Sequence, residues 1–510
     1  MPNKSNIQHA TFYLTQTLRR LDPIYSGRRL GLAATAICLI VGLLGLPATG
    51  GVLVIGLILL GFFGFWLYNA LLFIDAQIGA TVGEPRGWPV HRKVYPLYKF
   101  VDIYRAAQQY AGQQPRSVEL RSAHQFTLGA ILRGLPRAAG RRLNTPTSVP
   151  RKVGYEQEAY LPIDTFWLLP PHAGGAGVIR VQLTVMNGMV TLEAAAPSAA
   201  AATRMLDAIA ELAAQHSIYR NRMIRVVFGP EVRSDYGDDE STEPMDLVFY
   251  KEAPIAEAEI ILDDGHRALI ERTIVDFHAR RAELLQLGLP GKRGVLFYGP
   301  PGTGKTYTCK YIASRLDAAT TLVVTGHALL HMKAICAVAK MLQPALVLLE
   351  DVDLVFANRE NNAYNTVLGE FIDQLDGFGE TDQIIFILTT NAIDRIEPAI
   401  KDRPGRVSQC IYFGPPSAAL RRRYLDQLVQ PYECASLNLA HVVVRTEGVS
   451  QAFLKELVFR AVQIASGSHR TNGTGLGLID DHFATALHDM TNGGGQAAHK
   501  IIGFRMDVDR

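Results

Sequence analysis

The chain has 510 residues, more than one hydrophobic core usually serves, so two or three folded units are expected. Its 51 basic and 48 acidic side chains leave a net charge of +3, which argues against a nucleic-acid-binding protein as the leading class. The five cysteines form no C-x-x-C pair, which argues against a zinc or disulfide framework and indicates a reducing compartment for the soluble part.

An uncharged stretch near the N-terminus predicts a membrane anchor. Residues 30–74 contain no charged side chain, and about 20 apolar residues suffice for a helix to cross a bilayer. The sequence PATGG at 47–51 predicts a turn, so we interpret the stretch as two transmembrane helices, 30–46 and 52–74. The alternative is a buried helical hairpin of a soluble core, although such helices seldom stay uncharged over this length.

Basic residues flank the predicted hairpin on both sides, and its turn carries no charge. These residues are Arg19, Arg20, Arg28, Arg29, Arg86, Arg92 and Lys93. The positive-inside rule therefore predicts a protein that crosses a membrane twice, with residues 1–29 and the C-terminal part both cytoplasmic. The lipid bilayer is an expected partner.

Residues 75–250 predict a small cytoplasmic α+β domain followed by a linker. Alternating apolar residues on both sides of Asn187-Gly188 indicate a β-hairpin, because this dipeptide accepts the positive φ angles of a tight turn. An alanine-rich helix is expected at 199–216 and a further strand at 223–228.

Two charged segments of this region have open interpretations. The basic stretch at 133–152 could contact anionic lipid headgroups or could be a solvated surface with proline-marked loops. The acidic stretch at 235–243 is most simply a solvated linker.

A phosphate-binding loop begins the second half of the chain. The strand-like run 294–298 leads into GPPGTGKT at 299–306, and a helical pattern follows. Glycines let backbone N–H groups surround phosphates, Lys305 reaches the outer phosphates, and Thr306 can ligate Mg²⁺. The residues expected to bind ATP are Gly299, Pro300, Pro301, Gly302, Thr303, Gly304, Lys305, Thr306 and Tyr307.

Two adjacent carboxylates follow the next apolar strand pattern, at 345–349. They are Glu350 and Asp351. Beside a phosphate loop, Glu350 would hold Mg²⁺ through a water molecule, and Asp351 would polarise the water that attacks the terminal phosphate. Without such a loop, the two acids could equally begin a solvated loop.

Further candidate residues follow a third apolar strand pattern, at 384–388. The Asn391 amide could hold the attacking water or sense the terminal phosphate. Arg403 and Arg406 flank a proline and a glycine, and arginine supplied by a neighbouring subunit neutralises transition-state charge in many phosphoryl-transfer sites. An arginine-rich surface loop is the alternative interpretation.

Five motifs together resemble the AAA family of ATPases. They are GPPGTGKT at 299–306, LLEDVD at 348–353, QLDGF at 374–378, TTN at 389–391 and IEPAIKDRPGR at 396–406. The resemblance covers residues 257–510 and implies an α/β P-loop AAA domain at 257–415 with a C-terminal helical lid and tail at 416–510. Before it come the small α+β domain and the N-terminal transmembrane helical hairpin.

The resemblance also implies roles for individual residues. Asn391 is similar to sensor 1, and Asp376-Gly377-Phe378 resembles an inter-subunit signalling motif. Arg403 and Arg406 resemble arginine fingers that act on the neighbouring subunit's site, which implies a homo-oligomeric ring, usually a hexamer. ATP and Mg²⁺ are the implied cofactors, and the implied reaction is hydrolysis of ATP to ADP and phosphate.

The chain departs from the family pattern at three places. The usual Asp-Glu pair is Glu350-Asp351, an order that also occurs in the mitochondrial AAA translocase of the folded Rieske protein. Residues 330–333, Leu-His-Met-Lys, stand where threading unfoldases carry an aromatic pore loop. The His-Glu-x-x-His zinc ligands of membrane-anchored AAA proteases do not occur in the sequence.

Three functions are compatible with this pattern. The first is an ATP-driven remodeller or translocase of an unidentified protein substrate at a membrane. The second is a nucleotide-switched membrane scaffold or regulator whose ring assembly is the output. The third, a nucleic-acid motor, rests on the basic stretch alone, so nucleic acid is not an expected partner.

Overall fold

A computed structural model describes ten stretches of the chain. They are residues 74–121, 126–133, 146–172, 175–184, 188–229, 245–251, 255–353, 378–394, 407–468 and 477–492. Within these stretches, no helix combines the length and apolar composition that spanning a bilayer requires. The predicted transmembrane helices lie outside the described residues apart from Ile74, so the hairpin stays a prediction.

The chain divides into two compact units. Unit 1 comprises residues up to 218 together with 229–246, and unit 2 comprises 219–228 together with 247 onwards. Unit 1 contains a five-stranded antiparallel sheet of order β1-β7-β6-β5-β2 and a separate hairpin of β3 and β4. The strands are β1 (Val90–Pro96), β2 (Val118–Arg121), β3 (Ser148–Lys152), β4 (Glu158–Pro162), β5 (Asp164–Leu169), β6 (Gly177–Thr184) and β7 (Met189–Ala195).

The predicted hairpin is present as β6 and β7, which pair antiparallel. Gly188 has a φ of 60°, the left-handed conformation that the turn was expected to need. Asn187 lies outside the described residues.

Helices cover both faces of this sheet. They are α1 (Ile74–Val82), α2 (Phe100–Gly112), α3 (Leu128–Arg133) and α4 (Ala199–Gln215). Because neighbouring strand residues face opposite sides, Trp167 of β5 packs with α2 and α4, whereas Phe166 packs with α1 and α3. The Ser198 side chain accepts a hydrogen bond from the Ala201 N–H and so begins α4.

A buried charge cluster joins three strands of unit 1. Arg180 of β6 is 0% exposed, and its Nε and Nη2 each lie 2.8 Å from a carboxylate oxygen of Asp164. Arg180 Nη1 lies 3.2 Å from Glu193 Oε2, which also accepts a hydrogen bond from the Leu128 N–H at the start of α3. The cluster satisfies these charges internally and ties α3 to the sheet.

A buried acid outside this cluster, Asp102, should make the stability of unit 1 depend on pH. Asp102 of α2, 2% exposed, accepts hydrogen bonds from Ser217 Oγ at 2.6 Å and the Ile218 N–H at 2.9 Å. Burial raises its pKa, so wild-type stability falls as pH rises above the ordinary carboxyl range. We expect Asp102→Asn, which keeps an acceptor for Ile218, to flatten this pH dependence.

Urea unfolding of the full chain between pH 3.5 and 7, followed by tryptophan fluorescence, measures the effect. Asp102→Ala is the contrasting variant, because it leaves the Ile218 N–H without its acceptor and should cost about 1–3 kcal/mol. A wild-type pH dependence retained in Asp102→Asn would contradict the assignment to this carboxyl group.

Unit 2 is built on a seven-stranded sheet of order β14-β10-β13-β12-β11-β8-β9. Its strands are β8 (Met223–Phe228), β9 (Met245–Phe249), β10 (Arg293–Tyr298), β11 (Thr320–Val324), β12 (Ala345–Leu349), β13 (Ile384–Thr390) and β14 (Gln409–Tyr412). The pairs from β14 to β8 are all parallel. Every residue of β11, β12 and β13 is buried, as expected for central parallel strands.

The placement of β8 differs from the sequence-based expectation. We expected residues 223–228 in the intervening domain, but β8 pairs in parallel with β11 of unit 2. Arg220 strengthens this connection, since its guanidinium donates hydrogen bonds to the main-chain oxygens of Met341 and Gln343. The sequence of an apolar strand does not indicate which strand it pairs with, so only the tertiary structure shows that β8 belongs to the sheet of unit 2.

The remaining elements of unit 2 flank the sheet or form the lid. The first group is α5 (Asp264–Ile270), a π-turn (Glu271–Val275), α6 (Asp276–Ala279), α7 (Arg281–Gln286), α8 (Lys305–Arg315) and α9 (Met332–Met341). The second is α10 (Ala418–Val429), β15 (Glu433–Ser436), α11 (Leu439–Arg445), α12 (Gln451–Ser468), β16 (Gly477–Ile479) and α13 (Asp480–Asn492). The second group shares its own apolar core, as expected for a helical lid.

Candidate nucleotide-binding site

The phosphate loop connects β10 to α8 at the carboxyl edge of the parallel sheet. Gly299, Gly302 and Gly304 have φ angles of 143°, 77° and 92°, a region that residues with a Cβ rarely adopt. A methyl group on Gly299 would also lie 2.1 Å from the Phe413 carbonyl oxygen. Gly304 precedes the first residue of α8, so the loop ends on a helix N-terminus suited to bind anions.

Lys305 is held inside the loop. Its Nζ donates hydrogen bonds of 2.8 Å to the carbonyl oxygens of Gly299 and Pro300 and to Asn391 Oδ1. The residue is 6% exposed, and burial lowers the pKa of its ammonium group to about 8 against the opposing charges of Asp351 and Asp353. The structure therefore brings Lys305 and Asn391, separated by 86 residues in the chain, into direct contact.

This pKa predicts how nucleotide affinity depends on pH. Phosphate groups favour the charged form of Lys305, so above pH 8 binding has to take up a proton. We expect ATP affinity to fall as pH rises above about 8, by at most tenfold per pH unit, and this group to add no pH dependence below about 7.

Equilibrium binding of a fluorescent ATP analogue in EDTA between pH 6.5 and 9.5 measures this dependence. Lys305→Arg is the matched variant, because its guanidinium stays protonated over the whole range. A wild-type affinity that is constant up to pH 9.5 would contradict the lowered pKa.

Asp351 and Asn391 form the next part of the site. Asn391 Nδ2 donates a hydrogen bond of 3.1 Å to Asp351 Oδ1, which extends the contact from Lys305 to the carboxylate. Asp351 has a φ of 49°, a strained conformation for a residue with a side chain, and its N–H donates to Thr389 Oγ1. The end of β13 thus holds Asp351 in a conformation that aims its carboxylate at Asn391.

Asp353 supports this arrangement and was not singled out from the sequence. Its buried carboxylate accepts hydrogen bonds from Thr390 Oγ1 at 2.9 Å and from the Asn391 N–H at 3.0 Å. These bonds fix the backbone from which the Asn391 side chain projects. The third acid of LLEDVD was the only sequence signal for this role.

Glu350 lies on the other side of the strand end, towards α8. Burial raises the pKa of its carboxyl group, and Lys310 of α8 opposes that increase. Burial raises the pKa of the Cys309 thiol, one helical turn beyond Thr306, and the negative charge of Glu350 adds to this increase. Within the described part of the chain, its carboxylate makes no hydrogen bond.

The residues present fit a magnesium ion. Thr306, an exposed residue in the first turn of α8, offers a hydroxyl group, and Glu350 offers a carboxylate without another hydrogen-bonding partner among the described residues. Hydroxyl and carboxylate oxygens suit Mg²⁺, which keeps several water ligands. When bound there, the ion would neutralise charge on the outer phosphates. These metal-binding roles remain proposals.

The lid contacts the phosphate loop directly. The Ala452 N–H of α12 donates a hydrogen bond of 3.0 Å to the Gly302 carbonyl oxygen. Tyr307, in the first turn of α8, donates from its hydroxyl group to Glu259 Oε2 at 2.9 Å. Thr303 Oγ1 donates to the Pro300 carbonyl oxygen, and this bond stabilises the bend of the loop.

The segment that stands in the place of a pore loop is largely packed into unit 2. Met332, the first residue of α9, is 2% exposed, and Lys333 beside it is exposed. His331 stacks on Phe228 of β8 with ring centroids 4.1 Å apart. This segment therefore differs structurally from the exposed aromatic loop expected of a threading unfoldase.

Several predicted residues lie outside the described part of the chain. Arg403, Arg406, Asp376 and Gly377 are among them, so the arginine fingers and the inter-subunit motif stay predictions. Phe378, at the end of that motif, is buried against Phe386 of β13.

Comparison with known proteins identifies the family of this site. Residues 295–415 match the model of the ATPase family associated with various cellular activities, AAA. The match extends from β10 through the phosphate loop, the two acids and Asn391 to the loop after β14. Unit 2 therefore contains an AAA ATPase domain, whose cofactors are ATP and Mg²⁺.

Individual relatives are similar to part of this chain. One is a 26S proteasome regulatory subunit 8 homolog of Schizosaccharomyces pombe, 28% identical over 44% of this chain and 58% of the relative. A 26S proteasome regulatory subunit 4 homolog of Encephalitozoon cuniculi is 31% identical over 39% of this chain and 51% of the relative. The ATP-dependent zinc metalloprotease FtsH 2 of Thermoanaerobacter sp. is 28% identical over 38% of this chain and 40% of the relative. The chain thus spans between about two fifths and three fifths of the length of these relatives.

Proposed function

We propose that the protein uses ATP hydrolysis in a homo-oligomeric ring, most simply a hexamer, to remodel or translocate a protein substrate at a membrane. The observation that carries this proposal is a series of hydrogen bonds at the edge of the sheet. Lys305 donates to Asn391, and Asn391 donates to Asp351. Such a site can bind the phosphates of ATP, and its Asn391 and Asp351 side chains can respond to the presence of the terminal phosphate. A membrane anchor and a ring would convert that response into work on a client.

The nature of the client follows from the relatives and the additional unit. Two relatives are named as proteasome regulatory subunits and one as an ATP-dependent protease, which supports a protein substrate. Because this sequence contains no His-Glu-x-x-His motif, we propose remodelling without proteolysis. The described residues of unit 1 have their own core and include no feature that suggests catalysis, so we assign unit 1 the selection of clients.

The membrane location rests on the uncharged residues 30–74 and the basic residues on either side of them. We propose two transmembrane helices with both termini in the cytoplasm. Glu350-Asp351 follows the order found in the mitochondrial AAA translocase of the Rieske protein, and this resemblance supports the proposal of a membrane-anchored translocase.

A nucleotide-switched scaffold is the second candidate. The packed segment around Met332 favours it, because an exposed aromatic loop is what grips an extended chain in the threading mechanism. In this alternative, ATP binding assembles the ring and hydrolysis resets it.

A substrate trap distinguishes the two functions. The Asp351→Asn variant is expressed in the cells that normally produce the protein, solubilised from their membranes in the presence of ATP and purified. Lys305→Ala, which is expected not to bind nucleotide, is the control. A particular protein enriched only with Asp351→Asn would support remodelling and identify the client. Recovery of the oligomer alone, in an assembly state that depends on ATP, would favour the scaffold.

A further inference from the structure

Side chains of the lid form hydrogen bonds with a short segment of unit 2, residues 258–261, which we call the strap. Gln427 Nε2 of α10 donates a hydrogen bond of 2.5 Å to the Ala258 carbonyl oxygen. Arg423 Nη2 of α10 lies 3.4 Å from the Ile260 carbonyl oxygen, and Gln451 Nε2 of α12 donates at 2.7 Å to that of Ile261. Two lid helices thus bind three carbonyl groups of one four-residue segment.

The strap itself is fixed to the body of unit 2. Ile260 and Ile261 are buried, and Ile260 belongs to the apolar core that contains β10 and α8. Glu259 accepts the hydrogen bond from Tyr307, two residues beyond Lys305. The strap therefore connects the lid to the first turn of the phosphate-binding helix.

Gln451 is the one strap-binding residue that also meets the phosphate loop. A methyl group built on Gly304 would lie 2.5 Å from Gln451 Oε1, so the carboxamide covers the last glycine of the loop. The next residue, Ala452, donates its N–H to the Gly302 carbonyl oxygen. The start of α12 can therefore move away from the loop only if the bond between Gln451 and Ile261 breaks.

We propose that Gln451 is a positioning residue that latches the lid onto the phosphate loop and limits the rate at which ADP leaves. A nucleotide bound to the loop N–H groups would lie beside the start of α12, which contacts Gly302 and Gly304, so the lid would have to lift there before the nucleotide dissociates. The latch rests on the nucleotide site and is independent of which client the protein acts on.

The test is the rate of ADP release from the full chain. A fluorescent ADP derivative is bound, then chased with excess unlabelled ADP in a stopped-flow instrument. We expect Gln451→Ala to speed release by about tenfold, the kinetic equivalent of one neutral hydrogen bond. Association rate and melting temperature should stay close to wild type. Gln427→Ala should have a smaller effect because its bond is exposed to water.

Two further variants separate the latch from a general loss of packing. Gln451→Met fills the space over Gly304 but cannot donate to Ile261, so it should release ADP as fast as Gln451→Ala. Gln463→Ala, an exposed glutamine of the same helix, should behave as wild type. Wild-type release from Gln451→Ala or from Gln451→Met would overturn the latch. A wild-type chain that binds no labelled ADP would instead contradict the nucleotide site itself.

Discussion

Lys305→Ala is expected to abolish ATP binding. The Lys305 ammonium group is the cation inside the phosphate loop, and two charge-assisted bonds to phosphate oxygens are worth on the order of 3–6 kcal/mol together. Affinity should fall by on the order of a thousandfold, and turnover should be lost with it. Equilibrium binding of a fluorescent ATP analogue and phosphate release by the full chain measure the two effects.

The matched control is Lys455→Ala, which removes an exposed lysine from α12 and should bind ATP as wild type does. Melting temperatures confirm that both variants are folded. A Lys305→Ala protein that hydrolyses ATP at the wild-type rate would contradict the assignment of the phosphate loop.

Asp351→Asn should separate binding from hydrolysis. The carboxylate does not belong to the phosphate loop, and an asparagine keeps an oxygen that can accept the bond from Asn391. It cannot take up a proton from the attacking water, a function that contributes about 10²- to 10⁴-fold to the rate. We therefore expect unchanged ATP affinity and a kcat lower by about that factor.

Asp394→Asn provides the comparison, because Asp394 is an exposed acid shortly after β13. Its kcat should be that of wild type. If Asp351→Asn instead lowered ATP affinity and left kcat unchanged, the carboxylate would be a binding group, and Glu350 would become the candidate for the catalytic acid.

The sequence predicted those parts of the ATPase domain that are continuous in the chain. The run from 294 to 298, the phosphate loop and the helix after it follow one another directly, and each has a strong local signal. The predicted strands at 345–349 and 384–388 are present as β12 and β13, and β13 continues to Thr390. The order of the strands in the sheet could not be predicted from the sequence and is known only from the structure.

Contacts between distant residues were beyond sequence reasoning. Asp353 fixes the Asn391 backbone across 38 residues, and Gln451 reaches Ile261 across 190. Asp353 had only its place in LLEDVD as a signal, and Gln451 stands in no pattern that distinguishes it from a surface glutamine. The Arg180 cluster of unit 1 is similar, since an arginine in a strand pattern suggests an exposed face until its two acids are located.

The phosphate site explains why the acid order can be reversed. Asp351 contacts Asn391, whereas Glu350 lies near Lys310 and Cys309 of α8. The acid directed at Asn391 is thus the second of the pair. We infer that the division of labour follows from position at the strand end, with the shorter side chain nearer to the attacking water.

Mixing two inactive variants tests most directly whether ATP is hydrolysed in a ring whose neighbouring subunits complete one another's sites. Asp351→Asn lacks the proposed catalytic carboxylate, and Arg406→Ala lacks the proposed arginine finger. In randomly mixed rings, a quarter of the sites combine an intact Asp351 with an intact Arg406 from the neighbour. We predict that the mixture regains up to about a quarter of the wild-type phosphate release. Full activity of Arg406→Ala alone, or no activity in mixed rings that assemble together, would contradict the account.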